Sequence, residues 1–180
     1  MADNSGRRTP LTIIGLGNEL LSDDGVGIRV VRELKTRLAS GVANFEELSV
    51  GGLELLEYLV VSERCIIIDA VVTGRGPAGT VYRFFQTADS GTVTLTSSHQ
   101  IDLGQVLSLA TMLGAHLPKT LTVYGVEASD VTTFRDACTT AVSRAIPTVV
   151  DAVCRDLEGA GKEFHARTGE WQIIKGVLTD

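Results

Sequence analysis

The chain has 180 residues, a net charge of -6, and 44% hydrophobic against 21% charged residues. That balance excludes a disordered chain and predicts one globular domain, long enough to bury a core without disulfides. The negative charge argues against nucleic acid or an anionic membrane as a bulk electrostatic partner.

Residues 11–16 form a short apolar, β-branched run bounded by glycines and read as a buried strand. A polar loop follows over 17–24. Val26, Val30, Leu34 and Leu38 then recur at helical spacing, with Arg29, Arg32, Glu33 and Lys35 between them. Asp23 or Asp24 is placed to cap that helix. Residues 45–50 read as a second strand, Gly51-Gly52 as a turn, and 53–61 as a helix with Leu55, Leu56 and Leu59 inward. Residues 65–70 are the most apolar segment and form the third strand. The stretch 73–79 is too short for a crossover helix, so the strand at 80–84 is expected to run antiparallel to its predecessor.

A Ser/Thr-rich loop over 87–98 leads to His99 and a helix containing Leu103, Val106, Leu107 and Leu109. A fifth strand is expected over 120–126, an irregular connection over 127–138, and a last helix over 140–157. Pro147 should kink that helix. The polar tail over 159–180, with Trp171 and Ile173-Ile174, is expected to be mobile or loosely docked. The result is a three-layer α/β domain. Its twisted, mostly parallel five-stranded sheet has one antiparallel strand and helices on both faces. The core covers about 11–158, with no internal repeat, linker or second domain.

Cys65, Cys138 and Cys154 are far apart and form no Cys-x-x-Cys pair, which argues against a thiolate metal site. Their odd number, with no apolar leader at the N-terminus, fits a reducing cytoplasm. No run reaches the roughly 20 apolar residues of a membrane span.

In open α/β sheets, ligands collect beyond the carboxyl ends of the strands. The polar residues expected on that rim are Asn18, Glu19, Asp23, Asp24, Asp69, His99 and Glu127. Two carboxylates and an imidazole suit a first-row divalent ion with open positions, which makes Glu19, Asp69 and His99 a candidate metal triad. Each also has a plain structural reading: Asp69 capping a turn, His99 starting a helix, Glu19 solvated. There is no Gly-x-Ser-x-Gly elbow and no His-Glu-x-x-His helix. His116 and His165 lack partners nearby in sequence. Gly15-x-Gly17 hints at a dinucleotide turn, but Leu20 stands where a third glycine is expected, so no nucleotide cofactor is called for.

The segment from Gly15-Leu16-Gly17-Asn18-Glu19 through Asp23-Asp24-Gly25-Val26-Gly27 to Val30 resembles the opening motif of the hydrogenase maturation endopeptidases. Gly51-Gly52 before a Leu-rich helix, Ile66-Ile67-Ile68-Asp69-Ala70 followed by Gly79-Thr80-Val81-Tyr82, and Ser98-His99-Gln100 are similar to three further family segments in the same order. The likeness spans about 11–126. Leu53 stands where many relatives have Thr, the 127–138 connection does not align firmly, and the tail after Gly159 has no counterpart. The resemblance implies a hydrolase, of aspartic or metallo type. It would cleave the C-terminal extension from a nickel-loaded nickel–iron hydrogenase large-subunit precursor. It implies that Glu19, Asp69 and His99 meet nickel presented by that substrate. The catalytic candidates are Glu19 and Asp24, with Asp24 holding water or orienting the helix start, or simply capping it. The expected protein is a cytoplasmic monomer whose partner is the precursor. The competing reading is a maturation factor that binds the nickel-loaded subunit without cutting it.

Overall fold

A computed structural model describes residues 8–49, 53–87, 103–159 and 171–174. Strands β1 (Thr12–Leu16), β2 (Asn44–Leu48), β3 (Arg64–Val71), β4 (Val81–Thr87), β5 (Thr120–Glu127) and β6 (Trp171–Ile174) form one sheet in the order β2-β1-β3-β5-β4-β6. β2, β1, β3 and β5 are mutually parallel, and β4 is antiparallel to both β5 and β6. The expected α/β sheet with one reversed strand is therefore present, with six strands rather than five. The addition is β6: four residues of the tail that was expected to be loose pair with β4, and Trp171 packs against Phe84 at 5.5 Å between ring centroids.

Among the described residues, four α-helices cover the sheet: α1 (Val26–Arg37), α2 (Leu53–Val61), α3 (Leu103–Met112) and α4 (Thr140–Glu158). Side chains alternate across each strand. Ile13, Ile66, Ile68, Tyr124 and Val126 pack with Val30, Leu34, Val149 and Val153 of α1 and α4. Ile14, Leu16, Ile67, Phe84 and Val123 pack with Leu55, Leu59, Val106 and Leu107 of α2 and α3. Cys65 is buried in the second layer, where burial pushes its thiol pKa up and keeps it inert. The helix α4 runs on through Pro147.

The reversed strand β4 does run opposite to β3, but β5 lies between them. The connection over 72–80 therefore has to pass the carboxyl end of β5. Glu127, the last residue of β5, anchors it. Its Oε1 accepts the N–H groups of Thr73 and Gly74, both at 2.8 Å, and its Oε2 accepts the Thr73 hydroxyl at 2.5 Å. Backbone bonds from Gly79 N–H to Glu127 O (2.8 Å) and from Glu127 N–H to Thr80 O (2.9 Å) then start β4.

Candidate active site

The chain leaves β1 through α1 to reach β2 on one side, then returns through α2 to β3 on the other side of β1. The two connections lie on opposite faces, so a crevice opens where the carboxyl ends of β1 and β3 part. The glycines of the first motif set its shape. A Cβ on Gly27 would lie 2.3 Å from both Leu16 O and Ile68 O, and one on Gly15 would lie 2.4 Å from Gly27 O. The first turn of α1 thus rests directly on the backbones of β1 and β3. Gly17 takes φ +137°, and a Cβ there would meet Asp24 O at 1.8 Å. Gly25 lies so close to the Glu19 backbone that a Cβ would be 2.6 Å from Glu19 Cα. These four glycines let a loop, a helix start and two strand ends share a space that side chains would fill.

Glu19 stands on the outer lip of that crevice. Its side chain is 40% exposed, and its Oε2 meets Arg32 Nη1 of α1 at 2.7 Å. Asp69 is 3% exposed, two residues from the end of β3. Ile68 and Ala70 belong to the α1/α4 layer and Ile67 to the α2/α3 layer, so Asp69 faces α2 and α3 by alternation. The start of α1 packs on backbone near each acid: Gly25 on Glu19, and Gly27 on Ile68, the residue before Asp69. His99, the third residue of the expected triad, and the Gly51-Gly52 turn lie outside the described residues. Among the described residues no three His, Cys, Asp or Glu side chains form a metal-binding group.

The acidic pair does not cap α1. Gly25 is the N-cap, with no side-chain bond there. Asp24, 6% exposed, instead accepts the Asn18 N–H on Oδ2 at 2.8 Å, while Asn18 Oδ1 accepts the Leu20 N–H at 3.0 Å. These bonds fix the turn that carries Glu19. Asp23 is fully buried and reaches across the fold. Its Oδ2 accepts the Ser129 N–H (3.0 Å) and hydroxyl (3.1 Å), the Asp130 N–H (3.1 Å) and the Thr139 hydroxyl (3.1 Å). Its Oδ1 accepts the Thr139 N–H at 2.6 Å. Ser22 beside it takes φ +52°, a left-handed conformation uncommon for serine, and donates its N–H to Arg135 O at 2.8 Å. The rim loop and the irregular 128–139 connection are therefore one hydrogen-bonded unit. The sequence offers only faint signals for it: an acid in the loop, and polar Ser129 and Thr139 far along the chain.

Glu127, also read as a rim acid, is buried and structural. Burial pushes its carboxyl pKa up, but the hydrogen bonds from Thr73 and Gly74 outweigh this and leave it below the ordinary carboxylate value. A depressed folded-state pKa contributes stability that is complete above the unfolded-state value, about 4.3, and lost as pH falls through the folded-state value. Glu127→Gln should therefore cost about 1–3 kcal/mol near neutrality and much less in acid. Urea titrations of both proteins at the two pH values check this; an equal difference at both would contradict it.

A family model described as hydrogenase maturation protease matches residues 28–156. The chain is 31% identical to the hydrogenase expression/formation protein HupD of Bradyrhizobium diazoefficiens over 171 residues, covering 91% of this chain and 86% of that protein. It is 32% identical to the hydrogenase 2 maturation protease of Escherichia coli over 120 residues, covering 64% of this chain and 71% of that protein. Among solved structures, the hydrogenase maturating endopeptidase HybD from Escherichia coli superposes with a TM-score of 0.68 at 28% identity, covering 84% of this chain and 94% of that one.

Proposed function

The chain belongs to the hydrogenase maturation protease family, and we propose that it removes the C-terminal extension of a nickel–iron hydrogenase large-subunit precursor once nickel has been inserted. What supports this reading is that a half-exposed Glu19 follows β1 and a buried Asp69 lies near the carboxyl end of the adjacent parallel strand β3. Both are oxygen ligands on fixed backbone, and Glu19 is open enough to meet an ion arriving on another protein. His99, in the sequence just ahead of α3, would supply the imidazole. The precursor's own nickel is then the ion, so these residues complete a coordination shell that the substrate begins.

Cleavage adds the oxygen of a water molecule to the scissile carbonyl carbon, breaks the C–N bond and delivers a proton to the departing amine. A divalent ion held by Glu19, Asp69 and His99 would supply a Lewis acid for the carbonyl and the water. Asp24 holds the turn that presents Glu19. Leu20 and Phe134, 44% and 77% exposed, flank Glu19 on the joined loops, where Arg135 N–H bonds Leu20 O at 2.8 Å. Apolar side chains on such a rim suit a protein substrate better than a small hydrophilic one.

Intact-mass measurement of a nickel-loaded precursor, before and after incubation, tests the reading. One discrete C-terminal peptide should be lost, and only from loaded precursor. Glu19→Gln should slow the loss by about 100-fold or more, the scale of several kcal/mol of charge stabilisation. An unchanged mass with a loaded cognate precursor would leave a maturation factor that binds without cutting.

A further inference from the structure

Glu19 is already engaged in an ion pair in this structure. Arg32, two turns along α1 from the crevice, places Nη1 2.7 Å from Glu19 Oε2. The same guanidinium makes two bonds to Glu47 Oε2 of β2, from Nη2 at 2.9 Å and from Nε at 3.0 Å. Lys35 Nζ meets the other Glu47 oxygen at 3.2 Å. Arg32 is therefore shared between a carboxylate of the rim loop and one of the neighbouring strand, and it can release the first while keeping the second.

We propose that Arg32 is a latch on Glu19, held by Glu47, that keeps free divalent ions off the site and gives way when an ion is presented on a protein substrate. The proposal rests on the reading of Glu19 as a ligand for the substrate's ion. A metal–carboxylate bond is about 2.0–2.2 Å long, so an ion on Oε2 would meet a guanidinium nitrogen within contact distance. The two cations repel, and the guanidinium must withdraw onto Glu47. A free hydrated ion has only its bonds to this site with which to displace the latch. An ion carried by a docking protein has the whole interface behind it. The distinction matters because such ligands by themselves do not select nickel: copper binds them more tightly and zinc can occupy them too. A latch that raises the threshold for every free ion leaves selection to the substrate.

Zinc titration of the isolated protein by calorimetry tests this directly and needs no hydrogenase. Arg32→Ala should bind zinc about three- to tenfold more tightly at low salt, the scale of an exposed ion pair and its repulsion of a divalent ion. Arg32→Lys should fall between that variant and the unmodified protein. The gain should shrink as salt rises, which a change in packing would not produce. Glu47→Gln should weaken zinc binding, because the guanidinium then rests on Glu19 alone. The double variant Arg32→Ala/Glu19→Gln should show no gain.

The outcomes separate the two claims. Zinc affinity that falls with Glu19→Gln but does not change with Arg32→Ala overturns the latch and leaves Glu19 a ligand. Zinc affinity indifferent to Glu19→Gln overturns the ligand reading and the latch with it. A gain that survives in the double variant, or no zinc binding by either the unmodified protein or Arg32→Ala, also overturns the latch.

Discussion

Asp23→Ala should lower the stability of this protein by about 3–5 kcal/mol, because three backbone N–H donors and two hydroxyls lose the fully buried carboxylate they share. For a chain of this size that corresponds to a fall in Tm of roughly 10 °C. The Asp23 side chain is itself fully buried, so its removal leaves a gap on the inner side of these donors. Asp23→Asn keeps one acceptor oxygen but turns an NH2 group toward donors, and should lose somewhat less. Thermal melts followed by circular dichroism measure both. A fall of only a degree or two in Asp23→Ala would mean that the loop and the 128–139 connection do not depend on this carboxylate. The consequence for function is indirect. Asp23 sits between Ser22 and Asp24 in the segment that closes the Glu19 turn, so loosening it should blunt the crevice before the core melts.

The parts of this fold that were legible in the sequence are those set by local pattern. β1 and β3 stand out because parallel strands buried on both faces are continuous apolar runs. The rim acids Glu19 and Asp69 follow from where those runs end. What was not legible depends on partners far along the chain. The sheet order places β5 between β3 and β4, and nothing near residue 80 signals that. Glu127 looked like one more rim acid until its bonds to Thr73 and Gly74 put it to work as an anchor. Asp23 looked like a helix cap because its true partners are more than a hundred residues away. β6 is four residues long on a sheet edge, and its only signal was a short apolar patch in a polar tail.

Asp69→Asn should separate function from folding in the opposite sense to Asp23. Asp69 is 3% exposed at the end of an otherwise apolar strand. The carboxyl ends of parallel strands are where such sheets place ligand-binding groups. The isosteric amide retains the shape and one acceptor oxygen but removes the charge that would face a divalent ion. Release of the precursor's C-terminal peptide should therefore fall by about 100-fold or more, while Tm stays within a few degrees of the unmodified protein. Peptide release followed by mass, beside a melt of the same preparation, gives both numbers. Loss of stability together with activity would place Asp69 among the structural acids and leave Glu19 without a partner on β3. Activity retained at full stability would remove Asp69 from the site altogether.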